Sequence, residues 1–258
     1  MITSSQNSKI KLVRSLSGRP KGRREAEAFL VEGVRLVEEA LAASWPIGCV
    51  LYSDGLSERG KTLVERLKVE GWEVEEVAPN LMKSLSDTET SQGILAVLEG
   101  DQLPIPASPD FILIPDRIRD PGNLGTLLRS ASAAGVKAVL LPPETTDAFA
   151  PKVLRAGMGA HFRLPIRAMD WNEIEQVCAA ANLQVYLAEM GGVACWETDL
   201  RRPLALIIGG EAKGASEPAI KLAQGVIGVP MTGETESLNA GVAGAILMFE
   251  VVRQRAWA

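Results

Sequence analysis

Three short segments carry residue types and spacings suited to binding and group transfer. The first, Asp116-Arg117-Ile118-Arg119-Asp120-Pro121-Gly122-Asn123-Leu124-Gly125-Thr126-Leu127-Leu128-Arg129, follows an apolar run, and Pro121 and Asn123 stand where a helix would start. Asn123 and Arg129 are six residues apart, nearly two turns of that helix. Alone, an arginine in a helix is an ordinary surface charge. The second segment, Leu206-Ile207-Ile208-Gly209-Gly210-Glu211-Ala212-Lys213-Gly214, is a glycine-rich turn after an apolar strand, able to cradle a ligand with backbone groups or to serve as a plain turn. It lacks the Gly-Lys-Ser/Thr of a phosphate-binding P-loop and the GxGxxG of a dinucleotide fold. The third, Val229-Pro230-Met231-Thr232-Gly233-Glu234-Thr235-Glu236-Ser237-Leu238-Asn239, leads into a helix that stays apolar until Glu250. Ser237 or Asn239 could be its N-cap. A helix apolar on every side has to be covered by the domain core or by a second subunit.

Other residue types narrow the chemistry. His161 is the only histidine, which excludes paired-histidine metal sites and makes a Ser-His-Asp hydrolase improbable; no metal is expected. Cys49, Cys178 and Cys195 are odd in number and far apart, so they read as structural thiols. The longest weakly charged run, Leu238 to Phe249, is broken by Gly241 and Gly244 and falls short of the roughly 20 apolar residues a membrane span requires. No apolar stretch follows the first basic residues as in a signal peptide, so the expected compartment is the cytoplasm.

The net charge of −5 conceals an asymmetry. Of 27 basic residues, Lys9, Lys11, Arg14, Arg19, Lys21, Arg23 and Arg24 lie with no acid in the first 24 positions, leaving 20 bases against 32 acids in the rest. A basic arm on an acidic body points to a local anionic contact such as a phosphate backbone, or to a solvated terminus.

The elements that must position these residues form two α/β units. After the arm, Glu25–Ala43 has helical spacing, although Phe29-Leu30-Val31 before Gly33 also suits a short strand. Strands at Ile47–Tyr52, Trp72–Val77 and Gly93–Leu98 alternate with helices at Glu58–Glu70 and Asn80–Leu85. Residues 99–109 contain three prolines and form a linker. In the second unit the strands are Phe111–Ile114, Val136–Leu141, Leu183–Leu187, Leu204–Ile208 and Val226–Val229. Helices at Pro121–Gly135, Trp171–Ala181 and Ser237–Arg255 are interleaved with them, the pattern of a mostly parallel sheet. All three segments fall at strand ends, where parallel sheets bind ligands.

Taken together and in this order, the segments resemble the motifs of the SpoU (TrmH-like) RNA 2′-O-ribose methyltransferases of the SPOUT superfamily, over about Ile112 to Arg255. Phe29-Leu30-Val31-Glu32-Gly33 with Thr88 to Val97 is similar to the small RNA-binding domain that precedes the catalytic domain in ribosomal-RNA members. The resemblance implies an RNA-binding α/β domain at 1–98 and a SPOUT domain at 110–258 closed by a deep trefoil knot. It also implies a homodimer through helices that include the last one, and S-adenosylmethionine as cofactor. Gly209, Gly210, Glu211, Gly214, Ile227, Val229, Met231 and Leu238 would hold the cofactor, and Asn123, Arg129, Glu211, Ser237 and Asn239 would be catalytic. The expected RNA contacts are Lys9, Lys11, Arg14, Arg23, Arg24 and Arg155.

The implied reaction is methylation of a ribose 2′-hydroxyl, in 23S ribosomal RNA or, alternatively, transfer RNA; a non-catalytic RNA-binding or ribosome-assembly protein of the same fold is the competing class. A guanidinium stays protonated at neutral pH, so Arg129 is expected to anchor phosphate and stabilise a developing oxyanion, with proton removal assisted by substrate phosphate. The sequence departs from the family pattern at Gly157, where serine is common, and at Ala240-Gly241 after Asn239.

Overall fold

The computed structural model describes residues 1–87, 91–100, 103–210, 214–233 and 237–256. In chain order the elements are α1 (Ser8–Ser17), α2 (Pro20–Ala26), β1 (Ala28–Glu32), α3 (Val34–Ala42), β2 (Ile47–Tyr52), α4 (Glu58–Val69) and β3 (Val74–Glu76). Next come α5 (Pro79–Leu85), β4 (Ile94–Glu99), β5 (Phe111–Asp116), α6 (Pro121–Ala133), β6 (Ala138–Leu141), α7 (Pro151–Gly157) and β7 (Ile166–Ala168). The chain ends with α8 (Trp171–Ala180), β8 (Gln184–Ala194), β9 (Leu204–Gly209), α9 (Glu217–Leu222), β10 (Gly225–Gly228) and α10 (Ala240–Ala256). Two compact units result, residues 1–101 with 149–162, and residues 102–148 with 163–258.

In unit 1 the strands run β1-β4-β2-β3, with antiparallel pairing except between β2 and β3. The basic arm is folded. Ile10, Val13 and Leu16 of α1 are fully buried in the cluster containing Leu30, Cys49 and Leu95. Of the two readings open for 25–43, the strand holds at its start: Phe29-Leu30-Val31 is buried as a strand against β4, and the helix begins only after Gly33. Residues 149–162 lie in unit 1 rather than continuing the second domain. Their aromatic rings have partners there: Phe149 stands 4.9 Å from Phe29, and Phe162 5.4 Å from Trp45.

Unit 2 is built on a parallel sheet of order β10-β8-β9-β5-β6-β7 among the described residues. β5 is buried along its whole length, which explains its uninterrupted apolar run. From β5 the chain winds to β6 and β7 on one side, while β9, β8 and β10 lie on the other. The reversal between β5 and β9 creates a crevice at their carboxyl ends. Over α6 lies α10, brought close by Gly244, where a Cβ would come within 2.3 Å of Leu127 Cδ2. Leu247, Met248 and Val251 of α10 are buried, whereas Val242, Ile246 and Phe249 are exposed. One side of the apolar helix is therefore covered by the core and the other is open. The sequence reading missed β7, α7 and α9, which are all short, and ended β8 at Leu187, well before Ala194.

Candidate active site

A cavity of roughly 440 Å³ opens at the carboxyl ends of β8, β9 and β10. Gly209, Gly210 and Gly214 from the glycine turn, Ile227 and Val229 from the end of β10, and Met231, Ser237 and Leu238 from the loop before α10 all line it. Seven of the eight residues expected to hold a cofactor thus line this one cavity. The eighth, Glu211, lies outside the described residues, as does Thr88.

The cavity is lined by glycines and by apolar residues, and at one point a side chain is sterically excluded. A Cβ on Gly210 would stand 2.4 Å from the Arg117 carbonyl oxygen, so only hydrogen fits there. The Gly214 N–H donates to the Gly210 carbonyl at 3.0 Å and closes the turn. Downstream, the turn is held by Asp116, fully buried at the end of β5 and opposite Gly209 in the ladder. Its Oδ2 accepts the Ser216 N–H at 2.6 Å, while Ser216 Oγ caps α9 by accepting the Ala219 N–H at 3.3 Å. Asp116 belongs to the first sequence segment but had no assigned role; the available signal was an acid ending a wholly apolar strand.

One part of the lining was not anticipated. Between β8 and β10 the register passes from Leu187 opposite Val226 to Val193 opposite Ile227, so residues 188–192 bulge out of the ladder. This bulge brings Ala188, Glu189 and Met190 to the cavity, with Glu189 the sole charged lining residue among those described. Gly191-Gly192 after an apolar strand was the only sequence signal for the irregularity.

Asn123 and Asn239 meet at the rim. The Asn239 amide donates to Asn123 Oδ1 at 2.7 Å, and Asn239 Oδ1 accepts the Val242 N–H at 3.2 Å, so this one residue caps α10 and ties it to α6. Asn123 is itself in the first turn of α6, where Asp120 accepts its N–H at 2.8 Å. Arg129, six residues further along α6, is exposed, with no paired group among the described residues, and does not line the cavity. Ser237 is exposed at the cavity wall.

The six cations expected to touch RNA divide into three sorts. Lys11, Arg14 and Arg24 are exposed on α1 and α2. Lys9 is paired with Glu73 at 2.7 Å and with Glu75, and half-buried Arg155 with Asp87 at 2.9 Å and Glu32 at 3.9 Å. Arg23 departs from expectation: it is 6% exposed and donates to the Leu16 and Gly18 carbonyls at 2.6 and 3.0 Å. It satisfies the end of α1 instead of presenting a charge. The three cysteines are buried and unbridged, and burial pushes the Cys178 thiol up to about 11, which keeps it protonated at neutral pH. Among the described residues no helix is long and apolar enough to cross a membrane.

Comparison with known proteins matches residues 110–249 to the SpoU rRNA Methylase family and residues 7–96 to the MRM3-like substrate binding domain. The chain is 33% identical to the 23S rRNA (guanosine(2553)-2′-O)-methyltransferase RlmP of Bacillus subtilis, over 97% of this chain and 98% of that one. To the 23S rRNA (uridine(2479)-2′-O)-methyltransferase of Streptomyces viridochromogenes it is also 33% identical, over 97% and 91%. The crystal structure of an S-adenosylmethionine-bound rRNA methyltransferase from Sinorhizobium meliloti superposes with a TM-score of 0.85 at 30% identity, covering 98% of this chain and 97% of that one.

Proposed function

The chain belongs to the SpoU rRNA methylase family, and from that premise we propose that it methylates a ribose 2′-hydroxyl of RNA at the expense of S-adenosylmethionine, with 23S ribosomal RNA as substrate and the cytoplasm as its setting. The observation that carries this reading is the convergence of three sequence-distant segments: the glycine turn and the loop before α10 line one cavity, and the Asn123–Asn239 hydrogen bond ties the first segment to that loop. The cavity's volume and mixed main-chain and apolar lining suit a cofactor with a purine, a sugar and an amino-acid tail, and the Gly210 contact leaves the backbone bare for it.

When bound, S-adenosylmethionine supplies an electrophilic methyl group on a sulfonium sulfur. Main-chain groups at Gly209, Gly210 and Gly214 and the side chains of Ile227, Met231 and Leu238 would hold it. The residues of α6 and α10 act on the RNA. Arg129, exposed and unpaired among the described residues, is available to a substrate phosphate and to the developing oxyanion. Asn239 and Asn123 hold the start of α10 beside Ser237, which lines the cavity and would contact the ribose. Much of the rate enhancement is then positional, holding the hydroxyl oxygen in line with the methyl group.

The test is Arg129→Lys assayed for kcat, RNA Kd and cofactor Kd separately. A bidentate role requires kcat to fall by about tenfold or more while cofactor affinity holds; near-normal turnover with unaltered RNA affinity defeats the assignment.

The open face of α10 supports a homodimer. Val242, Ile246 and Phe249 recur at helical spacing and are 45, 39 and 48% exposed. Ile246→Glu is expected to yield a monomer by light scattering; an unchanged mass would remove α10 from the interface. The trefoil knot implied by the resemblance is part of the same proposal.

A further inference from the structure

The loop after β5 and the loop after β6 carry a charged cluster to which the reading above gives no role. Arg117 Nη2 and Arg119 Nη2 converge on one carboxylate, Glu144, at 3.2 Å to Oε1 and 2.8 Å to Oε2. The cluster faces solvent, with side-chain exposures of 29, 64 and 49% for Arg117, Arg119 and Glu144. Its position is defined by the catalytic elements. Arg117 follows Asp116 at the end of β5 and its carbonyl oxygen presses on Gly210 of the cavity wall, while Arg119 directly precedes Asp120, the cap of the helix bearing Asn123 and Arg129.

Arg117 and Glu144 both adopt left-handed backbone, with φ of 57° and 68°. Such conformations cost energy in non-glycine residues and persist only where the surroundings impose them. Thr145 imposes this one: its hydroxyl accepts the Arg117 N–H at 3.1 Å and donates to the Pro115 carbonyl at 2.8 Å, and the Thr146 N–H donates to the Ile118 carbonyl at 2.9 Å. The backbone is held by these bonds and not by the charges. Solvent-exposed ion pairs contribute little to stability, so the ion pair does not by itself explain why two guanidinia are aimed at one point beside the cavity.

On the reading that the substrate is RNA, we infer that Arg117 and Arg119 form a phosphate-binding subsite for a nucleotide flanking the methylated one, and that the Glu144 carboxylate occupies it until RNA arrives. A backbone phosphate resembles the carboxylate in presenting two anionic oxygens to two guanidinia. Each guanidinium has five N–H donors, and the contact with Glu144 uses a single nitrogen of each, so donors remain for an entering phosphate. The Arg117 hydrogen bond, with help from Arg119, holds the Glu144 carboxyl below the usual carboxylate range, so the occupant stays anionic at neutral pH. RNA binding is thereby an exchange of anions, and Glu144 opposes it. The cluster raises the salt dependence of binding and weakens attachment to incidental RNA.

The experiment is filter binding of the full-length protein to transcribed bacterial 23S ribosomal RNA across a salt series, with S-adenosylmethionine affinity measured in parallel. Arg119→Gln and Arg117→Gln are each expected to weaken RNA binding by about tenfold at low salt. Losing the shared phosphate contact altogether corresponds to a fall of roughly 0.7 to 0.9 in the slope of log K against log salt, and each single variant should give a measurable part of it. Glu144→Gln should act in the opposite direction and tighten RNA binding by a few fold, with cofactor affinity unchanged in all three. A merely structural ion pair predicts the same sign for all three variants, and that outcome, or unchanged RNA affinity and slope in Arg119→Gln, overturns the inference. Arg119 is the most exposed of the three, so its variant keeps the test decisive should Arg117→Gln misfold. If the unaltered protein binds S-adenosylmethionine but not the RNA, the proposed substrate fails and this subsite with it; binding by the parent with no effect of the arginines removes the subsite alone.

Discussion

The cavity of unit 2 is lined by glycines and apolar residues, with Glu189 its one charged lining residue among those described, while the exposed face of α1 and α2 in unit 1 offers long cationic side chains. A glycine-lined wall recognises by shape and fails abruptly when a single atom is added. Mobile cations recognise by charge, and losing one weakens binding by a step. The arrangement suits a small cofactor that must sit in one pose and a large polyanion gripped at many points.

The largest expected effect is at the glycine-lined wall. Gly210→Ala places a Cβ against the Arg117 carbonyl oxygen, 2.4 Å away, which the backbone can relieve only by moving the turn. Cofactor affinity should fall by about a hundredfold, read by calorimetry or by loss of the thermal stabilisation the cofactor gives the parent. Retained affinity would mean that the wall tolerates side-chain atoms and the contrast is false. Asn239→Ala comes next, because it removes the side-chain tie between α10 and α6 beside the cavity. Activity should drop between about ten- and a hundredfold in kcat, with about 1 kcal/mol of stability lost through the α10 cap. Equal activity to the parent would show that the Asn123–Asn239 bond has no catalytic consequence.

The smallest effects are expected in unit 1. Arg14→Gln and Arg24→Gln should each weaken RNA binding by about threefold and lower the salt slope by somewhat less than one, leaving kcat at saturating RNA unchanged. Arg23→Gln should instead lower the melting temperature, because the residue bonds the Leu16 and Gly18 carbonyls in the interior. If Arg23 behaved like Arg14 in RNA binding, the division between presented and structural cations would collapse.

Much of the catalytic half was legible because its information is local. The apolar run at β5, the helix start at Pro121, the glycine turn and the Ser237–Asn239 corner are each short segments whose backbone preference is encoded locally, while their chemistry was legible only through the resemblance of the three taken together. Unit 1 was harder to read. The helical spacing of Leu30, Val34, Val37 and Leu41 spans the β1–α3 junction, and only the pairing of Phe29, Leu30 and Val31 with β4 decides in favour of a strand.

From the amino-acid order alone came the α/β class, the placing of the three motif segments at strand ends, and the basic bias of the first 24 residues. Tertiary structure alone decided that Arg23 is buried while Arg14 is exposed, that residues 149–162 pack in unit 1, that the β8 bulge places Glu189 in the cavity lining, and that Asn123 meets Asn239. The reason is one of range. Propensity and periodicity act between residues a few positions apart, whereas what surrounds a given side chain is set by which distant strands pair and by where a ladder slips.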